Sequence, residues 1–213
     1  MNNKKILIAV LSLILLFTVS CDNENKTGGG NGGTGGIENG GSSGGGSSSG
    51  NDIDSQINAL FDKFPKTTGN PVSDSSLNGN YNSQNKLTID KNETETINNN
   101  ETKEDLINRD IGKEISLEIK DGKVTCKSAP THPETYLDGK QLYNSSGKYN
   151  AVEEKTTTFE EGGNDKRNYY IEFIKDSSGN LTSFKFMELT RVKAGEHNYA
   201  VQQTYTGTLI KGS

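Results

Sequence analysis

Ile115-Ser116-Leu117-Glu118-Ile119-Lys120-Asp121-Gly122-Lys123-Val124-Thr125-Cys126 alternates apolar and polar residues on both sides of one dipeptide. A period of two puts Ile115, Leu117 and Ile119 on one face of a strand, and Val124 and Cys126 on one face of the next. Asp-Gly accepts the positive φ that both central positions of a two-residue hairpin turn require. Asp121-Gly122 therefore joins the two strands as antiparallel neighbours.

The same texture continues toward the C-terminus. Asn168 to Lys175 is apolar and aromatic, and Ser177-Ser178-Gly179-Asn180 turns it. Leu181 to Val192 reads as a long strand whose parity changes between Phe186 and Met187, which predicts a bulge there. Ala194-Gly195-Glu196-His197 turns again. Tyr199, Val201, Gln203 and Tyr205 then share one face of a last strand running to about Ile210. Thr156 to Glu160 is a further strand, closed by Gly162-Gly163-Asn164-Asp165. Leu87 and Ile89 mark another, and Thr102 to Arg109 is a short helix with Leu106 and Ile107 facing inward. Residues 77–213 are thus expected to be mainly β, with roughly seven or eight antiparallel strands in up-and-down order. Such a meander closes into a small barrel or folds into a sandwich.

Ahead of this domain, residues 52–65 read as one amphipathic helix. Ile53, Ile57, Leu60, Phe61 and Phe64 make a single stripe, Asn51 or Asp52 caps the start and Pro65 stops it. The polar face is not basic, so packing onto the following domain is the expected use of the stripe. Residues 66–76 are a Gly/Pro/Ser linker. Leu77-Asn78-Gly79-Asn80-Tyr81 resembles the opening of lipocalin-like barrels, where Gly-x-Trp lies on the first strand; here Tyr81 replaces the Trp. The resemblance implies a barrel, and with it the reading of a small apolar ligand.

Residues 21–51 form a Gly/Ser-rich tether, with 13 Gly in the 23 residues from Gly28 to Gly50. Such composition behaves as a flexible coil, about 30 Å end to end and about 100 Å at full extension. Before it, Lys4 and Lys5 head an apolar run from Ile6 to Phe17, and Thr18-Val19-Ser20 precedes Cys21. A run of about a dozen residues is short of the roughly 20 that span a bilayer and suits a secretory signal. Cationic head, apolar core and positioned Cys resemble the signal peptide and lipobox of bacterial lipoproteins. Thr18 stands where Leu is usual, a departure; looser lipoboxes with Ser before Cys, like Ser20 here, are familiar from spirochaetes and mollicutes. The low-complexity tether is similar to those of spirochaetal surface lipoproteins. The resemblance implies cleavage of residues 1–20 and a diacylglycerol thioether on Cys21. Such a chain is held to the lipid bilayer by its acyl groups alone.

The mature chain would carry 21 Lys and Arg against 28 Asp and Glu, a net charge of −7. With no basic stripe, nucleic acid is excluded as the expected partner. With Cys21 modified, only Cys126 remains, and no intramolecular disulfide can form. Alternation puts Cys126 beside Val124, as a small buried apolar side chain. Nucleophilic catalysis needs a nucleophile, a base and a group orienting the base. The chain offers only His132, in a Pro-bounded loop six residues after Cys126, and His197, in a turn. A Cys126–His132 pair is the one nucleophilic arrangement available, and two scattered His make no zinc set. Asp176-Ser177-Ser178-Gly179-Asn180 lacks the closing acid of a calcium loop and reads as a hairpin turn. Glu153-Glu154, Glu160-Glu161 and Asp165 flank a strand. Asn92 and Asn100 are Asn-x-Ser/Thr sites that matter only in a glycosylating host. Catalytic residues, metal ligands and cofactor-binding residues are accordingly expected to be none, with lipidation at Cys21 the one assigned site.

Three functions remain open. One is a surface-displayed interaction protein that binds a host or envelope protein, for which the long tether speaks. The second is a lipocalin-like carrier of a small apolar ligand, which needs an empty interior. The third is an envelope enzyme, against which the sparse Cys and His content speaks. Tether length favours the outer membrane, whereas Asp22 directly after Cys21 is the inner-membrane retention signal of enteric bacteria.

Overall fold

The computed structural model describes residues 49–73, 75–110, 112–128, 134–159 and 163–212. The expected signal peptide, Cys21, most of the tether, His132 and Glu160-Glu161 lie outside them.

The chain is mainly β and forms a nearly closed antiparallel barrel. Helix α1 is Ser49–Lys63. The strands are β1 Asn70–Pro71, β2 Gly79–Ser83, β3 Thr88–Ile89, β4 Glu95–Ile97, β5 Ile115–Lys120, β6 Lys123–Ser128, β7 Thr135–Gln141, β8 Tyr143–Ser145, β9 Lys148–Thr158, β10 Asn164–Lys175, β11 Leu181–Ala194 and β12 His197–Lys211. A second helix, α2, is Lys103–Asn108. The wall follows β9-β10-β11-β12-β2-β5-β6-β7, each strand hydrogen-bonded to the next. The last strand, β12, closes onto β2 with Leu209 opposite Ser83 and Lys211 opposite Tyr81. β3 and β4 add to the rest of the β12 edge.

The last gap, between β7 and β9, is bridged by side chains. The Asp138 N–H donates to Glu153 at 2.7 Å, Lys140 pairs with Glu153 at 3.3 Å, and the Lys155 ammonium donates to the Thr135 carbonyl. The ladder fails here because β7 is irregular. It shifts register twice against β6, and Tyr136 and Leu137, neighbours in sequence, are both buried.

The deciding hairpin forms as its sequence predicts. Lys120 lies opposite Lys123, and Asp121 and Gly122 have φ of +50° and +72°. Ile115, Leu117, Ile119, Val124 and Cys126 all enter the interior. So do Tyr81 of β2, Tyr149 and Ala151 of β9, Tyr169, Ile171 and Phe173 of β10, and Phe184 and Phe186 of β11. Each fully buried large apolar side chain contributes about 1.5–3 kcal/mol relative to exposure. In α2 the Thr102 hydroxyl and the Asp105 carboxylate cap each other's backbone N–H at 3.2 and 2.9 Å, and Leu106 is buried.

The expected bulge between Phe186 and Met187 does not occur. β11 keeps one register with β12 from Ser183 opposite Thr208 to Ala194 opposite His197. Both faces of β11 are buried instead: Phe184 and Phe186 point inside, while Met187 and Leu189 point outside, under α1. A strand covered on both sides reads as continuous apolar sequence, which in a one-face pattern looks like a change of parity.

Helix α1 begins at Ser49, inside the expected tether, and packs on the outer face of the long strands. Its stripe, continued by Phe64 just past its end, buries Ile57 fully and Phe64 nearly so, and Ile53, Leu60 and Phe61 partly, against Tyr170, Met187, Leu189 and Ala200. Asp54 fixes its rotation by accepting from Arg191 at 2.6 Å and Asn198 at 2.9 Å. Part of the expected linker is also structured: β1 pairs with β8, and Val72 is buried in the barrel floor.

Candidate functional site

Alternation carries the inner face of the long strands upward past the apolar core. On β10 it continues from Tyr169 to Arg167 and Asp165, on β11 from Phe186 to Glu188, and on β12 from Tyr205 to Gln203, Val201 and Tyr199. This upper end is the barrel mouth.

Its centre is an ion pair between Lys113, just before β5, and Glu188. The Lys113 ammonium lies 4.9 Å from the Tyr136 ring centroid, 5.2 Å from that of Phe186 and 5.1 Å from that of Tyr205. Three aromatic faces and one carboxylate are a strong cation site, and the chain fills it with its own lysine. Burial alone would lower the Lys113 pKa. The charge of Glu188, the phenols of Tyr136 and Tyr205 and the hydrogen bond to Glu188 together outweigh it, so the ammonium is held above its ordinary range.

A second layer surrounds the pair. Arg167 donates to Asp165 Oδ2 from Nε at 2.8 Å and to Glu134 from Nη1 at 3.0 Å. The Tyr169 hydroxyl reaches the same Glu134 oxygen at 3.3 Å. The Lys155 ammonium lies 5.5 Å from the Tyr169 ring centroid. Burial pushes the Tyr205 phenol up to about 12 and raises those of Tyr136 and Tyr169. Cations and carboxylates thus neutralise one another across the mouth. Asp165 Oδ1, however, is buried with no hydrogen-bond partner, as are Asn168 Oδ1 and Arg191 Nε on the outer side and at the rim.

Below the mouth the interior is packed. Leu77, Leu117, Ile119, Leu137, Leu142, Ile171 and Phe173 are fully buried in one cluster with Phe186 and Tyr169. On the outside, a cleft of about 590 Å³ runs between α1 and the strands. Leu60, Lys63, Ile97, Lys185 and Met187 are among its lining.

The sequence-level candidates fall apart in space. Cys126 is fully buried between Leu117 and Leu137 of the neighbouring strands, and burial pushes its thiol up. His197 is exposed at the start of β12. Asp176 holds its hairpin turn by accepting the N–H groups of Ser178 and Asn180 at 2.9 and 2.8 Å. Tyr199, Val201, Gln203 and Tyr205 do share one face, the inner one. Sequence reasoning passed over Lys113 and Glu188. Lys113 lies in a polar stretch without periodicity. Glu188 lies just beyond the expected bulge, whereas unbroken alternation from Phe184 and Phe186 puts it on the inner face.

No family model, curated protein or solved structure matches the chain.

Proposed function

We propose that this chain is a lipid-anchored bacterial surface lipoprotein whose domain acts by contact, as a binding module without catalytic activity. The observation that carries the reading is the filled barrel. A carrier needs an interior cavity of about 300 Å³ or more, whereas this core is packed from its floor to an ion-paired mouth. Recognition then falls to the exterior: strand edges, loops and the cleft beside α1. The unreactive setting of Cys126 and its separation from His197 in the ladder support a non-enzymatic role. Cys21 supplies the anchor and the Gly/Ser tether the reach.

Intact-mass measurement on detergent-extracted protein, before and after protease treatment of whole cells, tests this. The expected species begins at Cys21, carries added acyl mass and disappears on protease treatment. An unlipidated chain overturns the anchor. A lipidated, protease-resistant chain moves the domain inside the envelope and, with saturable uptake of an apolar fluorophore, replaces the binding module by the carrier.

A further inference from the structure

The cleft beside α1 has an apolar base and a nearly balanced set of charges. Leu60 from the helix, Ile97 from β4 and Met187 from β11 line it and belong to one apolar cluster. Its volume of about 590 Å³ falls within the ~300–1,000 Å³ of small-molecule clefts. The polar groups around this base are matched, with one exception. Glu93 pairs with Lys185 at 2.5 Å, and Glu95 with Lys103 at 3.5 Å. The Gln202 amide and the Thr204 hydroxyl both donate to the Glu93 carbonyl, at 2.9 and 3.2 Å. Lys63 lines the cleft from the last turn of α1 and has no acidic partner among the described residues. The helix dipole favours a cation at that end but leaves its charge open to an anion.

We propose that this cleft binds a small amphipathic monocarboxylate, its apolar chain against Leu60, Ile97 and Met187 and its carboxylate on the Lys63 ammonium. Charge complementarity selects the class. One unmatched cation suits one negative charge, and Glu93 and Glu95 in the lining oppose a second. The apolar chain supplies most of the affinity by leaving water. Met187, unbranched and polarisable, adapts its side chain to that surface. The inference deepens the reading of the domain as a binding module and rests on it, because it names the ligand class of one exterior site.

Methionine supplies the probe. The chain has two, Met1 and Met187, and cleavage of residues 1–20 leaves Met187, in the cleft, as the only one. NMR of the isotope-labelled methionine methyl, on the mature chain held by its anchor in phosphatidylcholine nanodiscs, therefore reads the site through one signal. Octanoate should shift it saturably, with half-saturation in the millimolar range expected of about ten non-hydrogen atoms. Octanamide, its neutral counterpart, should bind about three- to fivefold more weakly, and Lys63→Gln should weaken octanoate by the same factor, the worth of one exposed charge pair. Lys66→Gln, at an exposed lysine outside the lining, should change nothing. Ala59→Trp, at an exposed position in the lining, should abolish the shift by filling the cleft. No saturable shift with octanoate overturns the proposal, as does equal half-saturation for octanoate and octanamide. A signal that moves only with protein concentration assigns the cleft to a second copy of the chain and overturns it too. Two methionine signals would show that Met1 is retained and would sink the anchoring reading alone, since Met187 still reports on the cleft.

Discussion

Lys113 and Glu188 meet inside a ring of Tyr136, Phe186 and Tyr205, with side chains only 24% and 15% exposed. At such burial the attraction does little more than offset desolvation, whereas an unpaired member is costly. Glu188→Gln should therefore destabilise the domain by about 2–3 kcal/mol, and Lys113→Met by a similar amount. The double substitution should recover most of the loss. Urea unfolding of all four proteins measures the coupling; strictly additive losses would remove the pair from this account.

Alkaline pH should unfold the domain through its tyrosines. Burial raises the Tyr205 phenol to about 12, against about 10 in an unfolded chain. The native state then holds the proton more tightly than the unfolded state. The resulting stability is complete below pH ~10 and is lost as pH rises toward ~12, amounting to about 3 kcal/mol for this group. Tyr205→Phe should flatten the fall in stability between those pH values without changing it at neutrality by as much. Denaturant midpoints across the range, read beside phenolate absorbance, check this.

How far the fold was legible depended on whether a strand had one face buried or two. Ile115 to Cys126 shows one apolar face, and its hairpin was fixed residue by residue. β11 is buried on both faces, so Phe186 and Met187 looked like a change of register. β7 was invisible, because its bulges against β6 erase the alternation that would have announced it. The stripe of α1 announced a helix, yet nothing local names Tyr170 and Leu189 as its partners. At the mouth, Lys113 depends on contacts with residues far along the chain, and no local pattern encodes them.

Gly122 joins a legible requirement to an illegible one. Its φ of +72° belongs to the turn. The reason it tolerates no side chain is distant: a Cβ there would sit 1.9 Å from the carbonyl oxygen of Val72. Positive φ alone costs an L-residue about 1 kcal/mol, and the clash adds to it. Gly122→Ala should lower stability by at least ~2 kcal/mol. Gly147→Ala, also at positive φ but with nothing within 4 Å of its Cβ, should cost less. Thermal melts of the two variants separate strain from collision; equal losses would mean the floor shifts freely.

Ile57, on the inner face of α1, is fully buried. Removing its side chain leaves a cavity between helix and barrel wall, and Ile57→Ala should cost about 3 kcal/mol. If α1 is integral to the domain, the variant unfolds in one earlier transition. If α1 docks as a separate unit, limited proteolysis clips the residues before Asn70 while the barrel's own melt stays put.

Cys126 is 0% exposed, and burial holds its thiol far above the ordinary range. Attack on an aromatic disulfide requires the thiolate, so the native chain should resist labelling until it opens. The labelling rate should therefore follow global unfolding and rise with denaturant along the unfolding limb. A rate near that of a free thiol in native buffer would contradict the packing around Leu117 and Leu137. In full denaturant the count of reactive thiols reports on the other end of the chain. One per chain is expected when Cys21 carries its thioether, and two would mean that the anchor was never attached.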